Sequence, residues 1–191
     1  MDKKVKKKRR IIAICGPSGG GKSFLVKKFT NYCRISTDDF YLGKSKMQVD
    51  EKGFYNFDKP DAVDLDECAH ALHELSNSLP GKEIFIPDYC MKQSERIGKK
   101  VVIVPDEDAI VIVEGIFAFH PPLLQMSDFR IFVEPPEEVI LARRYKRDIM
   151  ERGRTPLGIL QQYPVVIAGY QQYIKPMKQF ADLIIDFGIL V

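Results

Sequence analysis

Short apolar runs alternate along this chain with longer segments in which apolar residues recur at helical spacing. The apolar runs predict strands over residues 11–15, 34–36, 84–86, 101–104, 109–113, 129–133 and 183–185. The helical spacing predicts helices over residues 22–32, 64–78, 136–150 and 157–173. Because strands alternate with helices, we expect an α/β fold with a mostly parallel sheet and helices on both faces.

The runs at residues 84–86 and 101–104 depart from this order, because a polar, basic loop and no helix joins them. We predict that they form a small β-hairpin insertion. Three of the other strands end just before polar residues, at Cys15, Ser36 and Val113. Ligands of parallel sheets bind beyond the carboxyl ends of the strands, so these polar residues mark the candidate site.

Length and charge limit the class of protein. The 191 residues suit a single domain, predicted over residues 11–191. Residues 1–10 carry seven of the 29 basic residues and one of the 26 acidic ones, so the domain itself is slightly acidic. We interpret residues 1–10 as a basic, flexible, solvated arm, with binding to nucleic acid or anionic lipid as the alternative. A basic arm on an acidic body is not a nucleic-acid-binding surface, so we expect no nucleic acid partner.

Apolar content and cysteine spacing indicate the compartment. No apolar run approaches 18 residues, so no membrane partner is expected. The four cysteines at positions 15, 33, 68 and 90 form no C-x-x-C pair. A disulfide framework of a small secreted protein is one interpretation, but we expect reduced thiols and a cytoplasmic protein.

A glycine-rich loop links the first predicted strand to the first predicted helix. It matches the pattern G-x-x-x-x-G-K-[ST] with Gly16, Pro17, Ser18, Gly19, Gly20, Gly21, Lys22 and Ser23, and Phe24 follows it. In this pattern backbone N–H groups surround the phosphates of ATP, the lysine reaches the β- and γ-phosphates, and the serine hydroxyl binds Mg²⁺. A chance glycine-rich turn is the alternative, but a buried strand before the loop and a helix after it are the context that phosphate binding requires.

Acidic residues follow two other predicted strands. P-loop enzymes place an acidic residue that helps to hold Mg²⁺ at the strand end where Glu114 stands, and a surface glutamate is the alternative. Asp38 and Asp39 follow the strand over residues 34–36, where a carboxylate could accept the proton of an attacking hydroxyl. From spacing alone, an Asx-type turn explains Asp38 and Asp39 equally well.

Residues 143–154 carry six basic residues, and Arg144, Arg147 and Arg154 recur at roughly helical spacing. A mobile arginine-rich lid would stabilise charge on a transferred phosphoryl group and exclude water. The alternative is a solvated helix whose basic residues form salt bridges to Asp148 and Glu151. Beside a phosphate-binding loop, the lid is the interpretation that we adopt.

Taken in order, these motifs resemble the uridine kinase (uridine–cytidine kinase) family, within the phosphoribulokinase/uridine kinase group of P-loop kinases. The resemblance runs from about Ile11 to Ile185 and preserves the order and spacing of the motifs. Besides the glycine-rich loop, it is carried by residues 38–41, 56–64, 86–89, 113–116, 143–154, 162–163, 173–176 and 180–182. It implies a P-loop NTPase fold with an arginine-rich helical lid.

The resemblance also implies a reaction: ATP-dependent phosphorylation of the 5′-hydroxyl of uridine or cytidine to UMP or CMP, with Mg²⁺. Asp38 falls on the catalytic base, and Ser23, Glu114 and Asp38 are the candidate metal residues. The groups expected to act on the phosphates are Lys22, Arg147 and Arg152. The positions expected to contact the nucleoside are Tyr41, Asp58, Tyr89, Arg144, Arg154 and Gln162. Family members are often tetramers, so a homo-oligomer, a dimer or a tetramer, is a further expectation.

Three departures from the family pattern bear on the substrate. Ser94 stands where the family carries a histidine that helps to read the pyrimidine edge, and Cys90 stands where an aspartate usually follows the tyrosine. We also expect no helix beyond the last strand, because the sequence stops at Val191. A related kinase acting on another hydroxyl, of a modified nucleoside, phosphosugar or vitamin precursor, is therefore the alternative. A non-catalytic ATP-binding module is the hypothesis from a different class.

Overall fold

The computed structural model describes residues 8–49, 53 and 55–187. Its strands are β1 (Ile11–Cys15), β2 (Tyr32–Ser36), β3 (Glu83–Cys90), β4 (Glu95–Ile103), β5 (Ile110–Glu114), β6 (Phe129–Val133) and β7 (Leu183–Ile185). Its α-helices are α1 (Lys22–Val26), α2 (Leu65–Asn77), α3 (Leu123–Met126), α4 (Glu137–Met150) and α5 (Pro156–Gly169). The predicted alternation of strands and helices is confirmed.

A five-stranded sheet with the order β2-β5-β1-β6-β7 forms the centre of the fold, and all its pairs are parallel. Since β1 lies in the middle, the loop that follows it emerges between the ends of β5 and β6. Because β1, β5 and β2 are neighbours that pair in parallel, their carboxyl ends lie at the same edge of the sheet. This edge is where the sequence places the candidate site.

The first helix is shorter than predicted. Residues 22–32 were expected to be helical, but α1 ends at Val26 and β2 already begins at Tyr32. Amide N–H groups of Lys28 and Phe29 donate three residues back along the chain, and Asn31 takes a left-handed φ of 50°. The prediction was wrong here because pairing of β2 with β5 stops the helix, although the local sequence favours it.

Both faces of the sheet are covered, but unequally. The larger core packs α2, the hairpin and residues 116–119 against one face. A smaller cluster on the other face consists of Ile14, Val26, Ile112, Ile131 and Val133. The helical covering of both faces is therefore confirmed, and the short α1 leaves the second face thin.

The predicted hairpin is confirmed and is longer than the apolar runs suggested. Strands β3 and β4 pair antiparallel in a separate two-stranded sheet. Arg96 fixes the hairpin to the segment after β2, donating from Nε to the Tyr41 carbonyl at 2.8 Å and from Nη2 to the Phe40 carbonyl at 2.9 Å. Its Nη1 also reaches Glu67 of α2 at 2.7 Å. These contacts hold the hairpin turn beside the ends of the parallel strands.

The expected basic arm lies largely outside the described residues, which start at Lys8. Arg9 does not fit a solvated arm: it is 2% exposed and donates to the backbone carbonyls of Leu75, Ser78 and Pro105. A buried guanidinium needs such acceptors. The last turn of α2 and the residues that follow α2 and β4 provide them. The chain is therefore anchored to the fold from Arg9 onward.

Within the described part of the chain, no helix has the length and apolar character needed to cross a bilayer. All four cysteines are unpaired in the structure.

Candidate active site

A cavity of about 380 Å³ opens at the carboxyl ends of the strands, between the glycine-rich loop, the hairpin turn and the segment that joins α4 to α5. The predicted site residues that line it are Ser18, Gly19, Gly21, Lys22, Ser23, Phe24, Asp38, Tyr41, Asp58, Tyr89, Glu114, Arg144, Arg147, Arg152, Arg154 and Gln162. Gly16, Pro17 and Gly20 do not line it. The structure thus brings together in one cavity groups that are more than a hundred residues apart in sequence.

Backbone packing explains the glycine at the start of the loop. A Cβ on Gly16 would lie 2.3 Å from the carbonyl oxygen of Val133, so no larger residue fits there. Lys22, which is 8% exposed, folds back and donates from Nζ to the carbonyls of Gly16 and Pro17, both at 2.9 Å. Burial lowers the pKa of Lys22, and the nearby carboxylates of Glu114 and Asp38 oppose that shift. A phosphate could replace the two carbonyls as the partner of this ammonium group.

The helix after the loop contributes less than the sequence indicated. Because α1 has five residues, few peptide dipoles align behind its N-terminus. Phosphate binding would therefore depend chiefly on the loop N–H groups, on Lys22 and on the arginines that lie over the loop.

Ser23 and Glu114 meet beside the loop. The Ser23 hydroxyl donates to Glu114 Oε1 at 3.2 Å, and Glu114 is 3% exposed at the end of β5. Hydroxyl and carboxylate oxygens suit Mg²⁺, which proteins usually bind through one or two carboxylates together with substrate phosphates. The described residues contain no group of three or more His, Cys, Asp or Glu side chains that could hold a metal. A Mg²⁺ ion here would thus need nucleotide oxygens as further ligands.

The two aspartates after β2 have different surroundings. Ser36 caps the short 3₁₀ turn Thr37–Phe40 by accepting from the Asp38 N–H at 3.3 Å, so Asp38 itself is not needed as a cap. Asp38 lines the cavity, whereas Asp39 pairs with Lys100 of the hairpin at 2.6 Å. The Asx-turn alternative is therefore wrong for Asp38, and its carboxylate is available to the cavity.

Aromatic rings form part of the cavity wall. Tyr41 packs edge-on against Phe57 with centroids 5.6 Å apart and tilts against Tyr89 at 5.4 Å. Burial raises the pKa of Tyr89 to about 12 and also raises the pKa of Tyr41 well above its ordinary value, so both stay neutral hydroxyls. Flat apolar faces with hydroxyl tips suit a planar ring that also carries polar edges.

Asp58 lies deep in the cavity under α5. Helix α5 approaches so closely at Gly169 that a Cβ there would lie 2.5 Å from the Asp58 carbonyl oxygen. Burial raises the pKa of the Asp58 carboxyl, and the charge of Arg144 opposes that shift. The carboxylate therefore sits where a polyol hydroxyl could donate to it in a low-dielectric setting.

The arginine-rich segment lies directly over the glycine-rich loop. Arg147 donates from Nη2 to Ser18 Oγ at 3.1 Å, and a Cβ on Gly19 would come within 3.5 Å of Arg144. Burial lowers the pKa of Arg152, and the positive charge of neighbouring Arg147 lowers it further. The predicted lid position is thus occupied by a cluster of cations that faces the phosphate loop.

One carboxylate organises these cations: Asp148, which the sequence suggested only as a salt-bridge partner in a solvated helix. Asp148 is 4% exposed and pairs with Arg147 at 2.8 Å, Arg144 at 3.4 Å and Arg152 at 3.6 Å. Its spacing of four residues from Arg144 and from Arg152 was a usable signal, because residues four apart share a helix face. The solvated-helix alternative is correct about pairing with Asp148, but these ion pairs are largely buried in the cavity wall and are not solvated.

Two other residues escaped the sequence analysis because their role depends on tertiary contacts. Tyr55 lines the acceptor end of the cavity, next to Phe57. Arg143 donates to the carbonyl of Phe187, whose ring packs against Phe24 beside the loop. Nothing in its local sequence distinguishes Tyr55 from a surface residue, and the arginine-rich segment around Arg143 gave no sign of the contact with Phe187.

Comparison with known proteins agrees with this arrangement. A family profile, the Phosphoribulokinase / Uridine kinase family, matches residues 11–189. The uridine kinase of Streptococcus pyogenes serotype M5 (strain Manfredo) is 35% identical over 191 residues, which covers 96% of this chain and 89% of that protein. Uridine-cytidine kinase A of Dictyostelium discoideum is 35% identical over 186 residues, covering 93% of this chain and 36% of that longer protein.

A solved structure supports the fold. The phosphoribulokinase from Rhodobacter spheroides superposes with a TM-score of 0.62 at 17% identity, covering 94% of this chain and 70% of that one. At this identity the likeness shows a shared fold and nothing about the substrate.

Proposed function

Because the chain belongs to the Phosphoribulokinase / Uridine kinase family, we propose that it transfers the γ-phosphate of ATP to the 5′-hydroxyl of uridine or cytidine. The observation that carries the proposal is the single cavity that joins the glycine-rich loop to Asp38 and to the aromatic wall. Phosphate-binding groups lie at one end and groups suited to a nucleoside lie at the other. A non-catalytic ATP-binding module would not need the second end.

In this reaction Asp38 accepts the proton of the 5′-hydroxyl as its oxygen forms a bond to the γ-phosphorus. The bond between that phosphorus and the β–γ bridging oxygen breaks, and ADP leaves with the electron pair. Lys22, Arg147 and Arg152 neutralise the charge that spreads over the phosphoryl oxygens. Ser23 and Glu114 are the residues that would hold Mg²⁺, which neutralises the β- and γ-phosphates when bound. Closure of the arginine segment excludes water from the transfer.

Coupled measurement of ADP release with a panel of ribonucleosides tests the proposal. We expect turnover with uridine or cytidine that exceeds the ATP hydrolysis seen without acceptor, and a nucleoside monophosphate as the product. Turnover with neither pyrimidine nucleoside would refute the substrate assignment. ATP binding without any transfer to a hydroxyl acceptor would instead favour the non-catalytic module.

The raised pKa of Asp58 gives a pH-dependent prediction. We propose that its carboxylate accepts hydrogen bonds from the ribose hydroxyls, which protonation abolishes. Because burial raises this pKa, the KM for the acceptor should rise as the pH falls, starting at a higher pH than an ordinary aspartate would allow. Asp58→Asn should raise KM about 10- to 100-fold at neutral pH, as expected for a lost hydrogen bond to a charged group, and flatten the profile.

Steady-state kinetics between pH 5 and 8 would measure this effect. Asp61→Asn is the matched control, because Asp61 is an exposed carboxylate three residues further along the chain. Identical KM profiles for the wild type and Asp58→Asn would contradict the role of Asp58.

The far end of the acceptor site supports a second candidate substrate class. A second cavity of about 380 Å³ shares Ser94 with the first, and its cationic lining residues are Lys44, Lys92, Arg152 and Arg154. None of its lining residues within the described part of the chain is acidic. Ser94 is held there with φ 55°, its carbonyl accepting from the Lys44 N–H at 2.9 Å. We propose that a nucleoside with an anionic substituent on its base is the alternative acceptor.

The same acceptor panel separates the two candidates when a 5-carboxymethyl uridine is included. If the anionic nucleoside is the better substrate, Lys92→Ala should raise its KM severalfold and leave the KM for uridine unchanged. Lys99→Ala is the control, since Lys99 is exposed on the hairpin and does not line this cavity. Equal KM values for uridine and the anionic nucleoside would remove the second candidate.

A further inference from the structure

Arg34 contacts the carboxylate that we assign to the metal site. It lies on β2, and its Nε donates to Glu114 Oε1 at 3.1 Å while its Nη2 donates to the same oxygen. That oxygen also accepts the Ser23 hydroxyl at 3.2 Å. The permanently charged guanidinium of Arg34 is therefore hydrogen-bonded to Glu114 Oε1, the same oxygen that accepts from the proposed Mg²⁺ ligand Ser23.

The position of Arg34 in the sheet explains how a charged residue reaches this carboxylate. Its neighbours Cys33 and Ile35 belong to the large core, so Arg34 projects from the opposite face, the one that carries α1. Strand β2 is at the edge of the sheet, and α1 ends at Val26. The Arg34 side chain consequently stays 44% exposed, while its guanidinium reaches the nearly buried Glu114.

We propose that Arg34 is a positioning residue that serves as a resident counter-ion of Glu114, so that a divalent metal enters the site with the nucleotide and not before it. The proposal rests on the proposed function, because it assumes the metal site at Ser23 and Glu114. Without nucleotide, the guanidinium neutralises Glu114 and repels a second cation. With nucleotide bound, the phosphate charges outweigh that repulsion, and Glu114 keeps its orientation through the guanidinium.

Removing the charge should therefore strengthen metal binding to the empty enzyme. Two cations a few ångströms apart near a protein surface interact strongly enough that we expect Mn²⁺, as a spectroscopic substitute for Mg²⁺, to bind about tenfold more tightly to Arg34→Leu. Binding of Mn²⁺ in the presence of a non-hydrolysable ATP analogue should change less than threefold. Adding the nucleotide analogue should therefore increase the Mn²⁺ affinity of Arg34→Leu by a smaller factor than it increases the Mn²⁺ affinity of the wild type.

Electron paramagnetic resonance of free Mn²⁺ measures both affinities directly, without reference to turnover. Arg34→Lys keeps the charge and should retain the wild-type affinity within about threefold. Arg130→Leu is the matched control, because Arg130 forms a similar, partly exposed pair with Asp182 at 2.8 Å away from the site. If Arg34→Leu fails to fold, as judged by its melting transition, Arg34→Gln supplies the neutral side chain instead.

A double-mutant cycle shows whether Arg34 acts through Glu114. In the Glu114→Gln background, replacing Arg34 by Leu or Gln should change the Mn²⁺ affinity of the empty enzyme less than threefold. An unchanged or weaker affinity in the neutral Arg34 variants would overturn the inference, even if Glu114→Gln weakens the Mn²⁺–nucleotide complex as the proposed function requires. If Glu114→Gln leaves that complex unaffected, the metal site fails, and the inference about Arg34 fails with it.

Discussion

Replacing Asp38 by asparagine should lower kcat by about 10²- to 10⁴-fold, because asparagine cannot accept the proton of the acceptor hydroxyl. The affinity for ATP should change little, since the Asp38 side chain forms no hydrogen bond to the glycine-rich loop within the described residues. Single-turnover transfer from labelled ATP would separate the chemical step from binding and release. A kcat within tenfold of wild type would show that charge neutralisation and positioning suffice without this base.

Asp39→Asn is the matched control for this experiment. The neighbouring carboxylate is one residue further from the end of β2, and it pairs with Lys100 of the hairpin and does not line the cavity. We expect its replacement to lower stability only slightly, because the ion pair is partly exposed. The kcat should stay within about threefold of wild type. A similar loss of activity in both variants would indicate a general disturbance of the turn and not the loss of a base.

Replacing Asp148 by asparagine should lower the free energy of unfolding by about 3 kcal/mol, the lower end of the range for breaking a buried ion pair. The lower end applies because the side chains of its arginine partners are between 11% and 24% exposed. Arg144, Arg147 and Arg152 would keep their charges without the carboxylate that holds them together. The KM for ATP should also rise, because the repelling arginines no longer face the loop.

Urea denaturation measures the stability change, and limited trypsin digestion reports the opening of the segment at residues 151–155. Glu138→Gln, an exposed carboxylate in the first turn of α4, is the control and should cost less than about 1 kcal/mol. Unchanged stability together with an unchanged KM for ATP would show that Asp148 does not organise the arginines.

The glycine-rich loop and the order of elements could be predicted from sequence because their signals are local. Continuous apolar runs such as residues 109–113 mark buried parallel strands, and the spacing from Gly16 to Ser23 follows from the geometry of phosphate binding. The end of α1 could not be predicted in this way. The segment after Val26 has adequate helix propensity, and only pairing of β2 with β5 makes it leave the helix.

The contacts of individual residues likewise divide into those that the sequence indicated and those that depend on distant parts of the chain. Spacing alone left Asp38 and Asp39 open and the family resemblance pointed to Asp38, in agreement with the pairing of Asp39 with Lys100. The sequence indicated a basic arm over residues 1–10, whereas Arg9 is buried by carbonyls that come from α2 and from the segment after β4. Each difference arises because the deciding partner is far away in the chain.

By itself, the sequence determined the α/β class, the strand order along the chain, the phosphate loop and the types of residue available for phosphoryl transfer. These properties follow from local periodicity and from motifs whose spacing is fixed by the ligand. Only the tertiary structure decided that Asp39 pairs with Lys100 while Asp38 lines the cavity, that Asp148 gathers the arginines, and that Arg34 pairs with Glu114. Those outcomes depend on which side chains meet when β2, β5 and α4 pack at one edge of the sheet, because desolvation and charge pairing act only at contact distance.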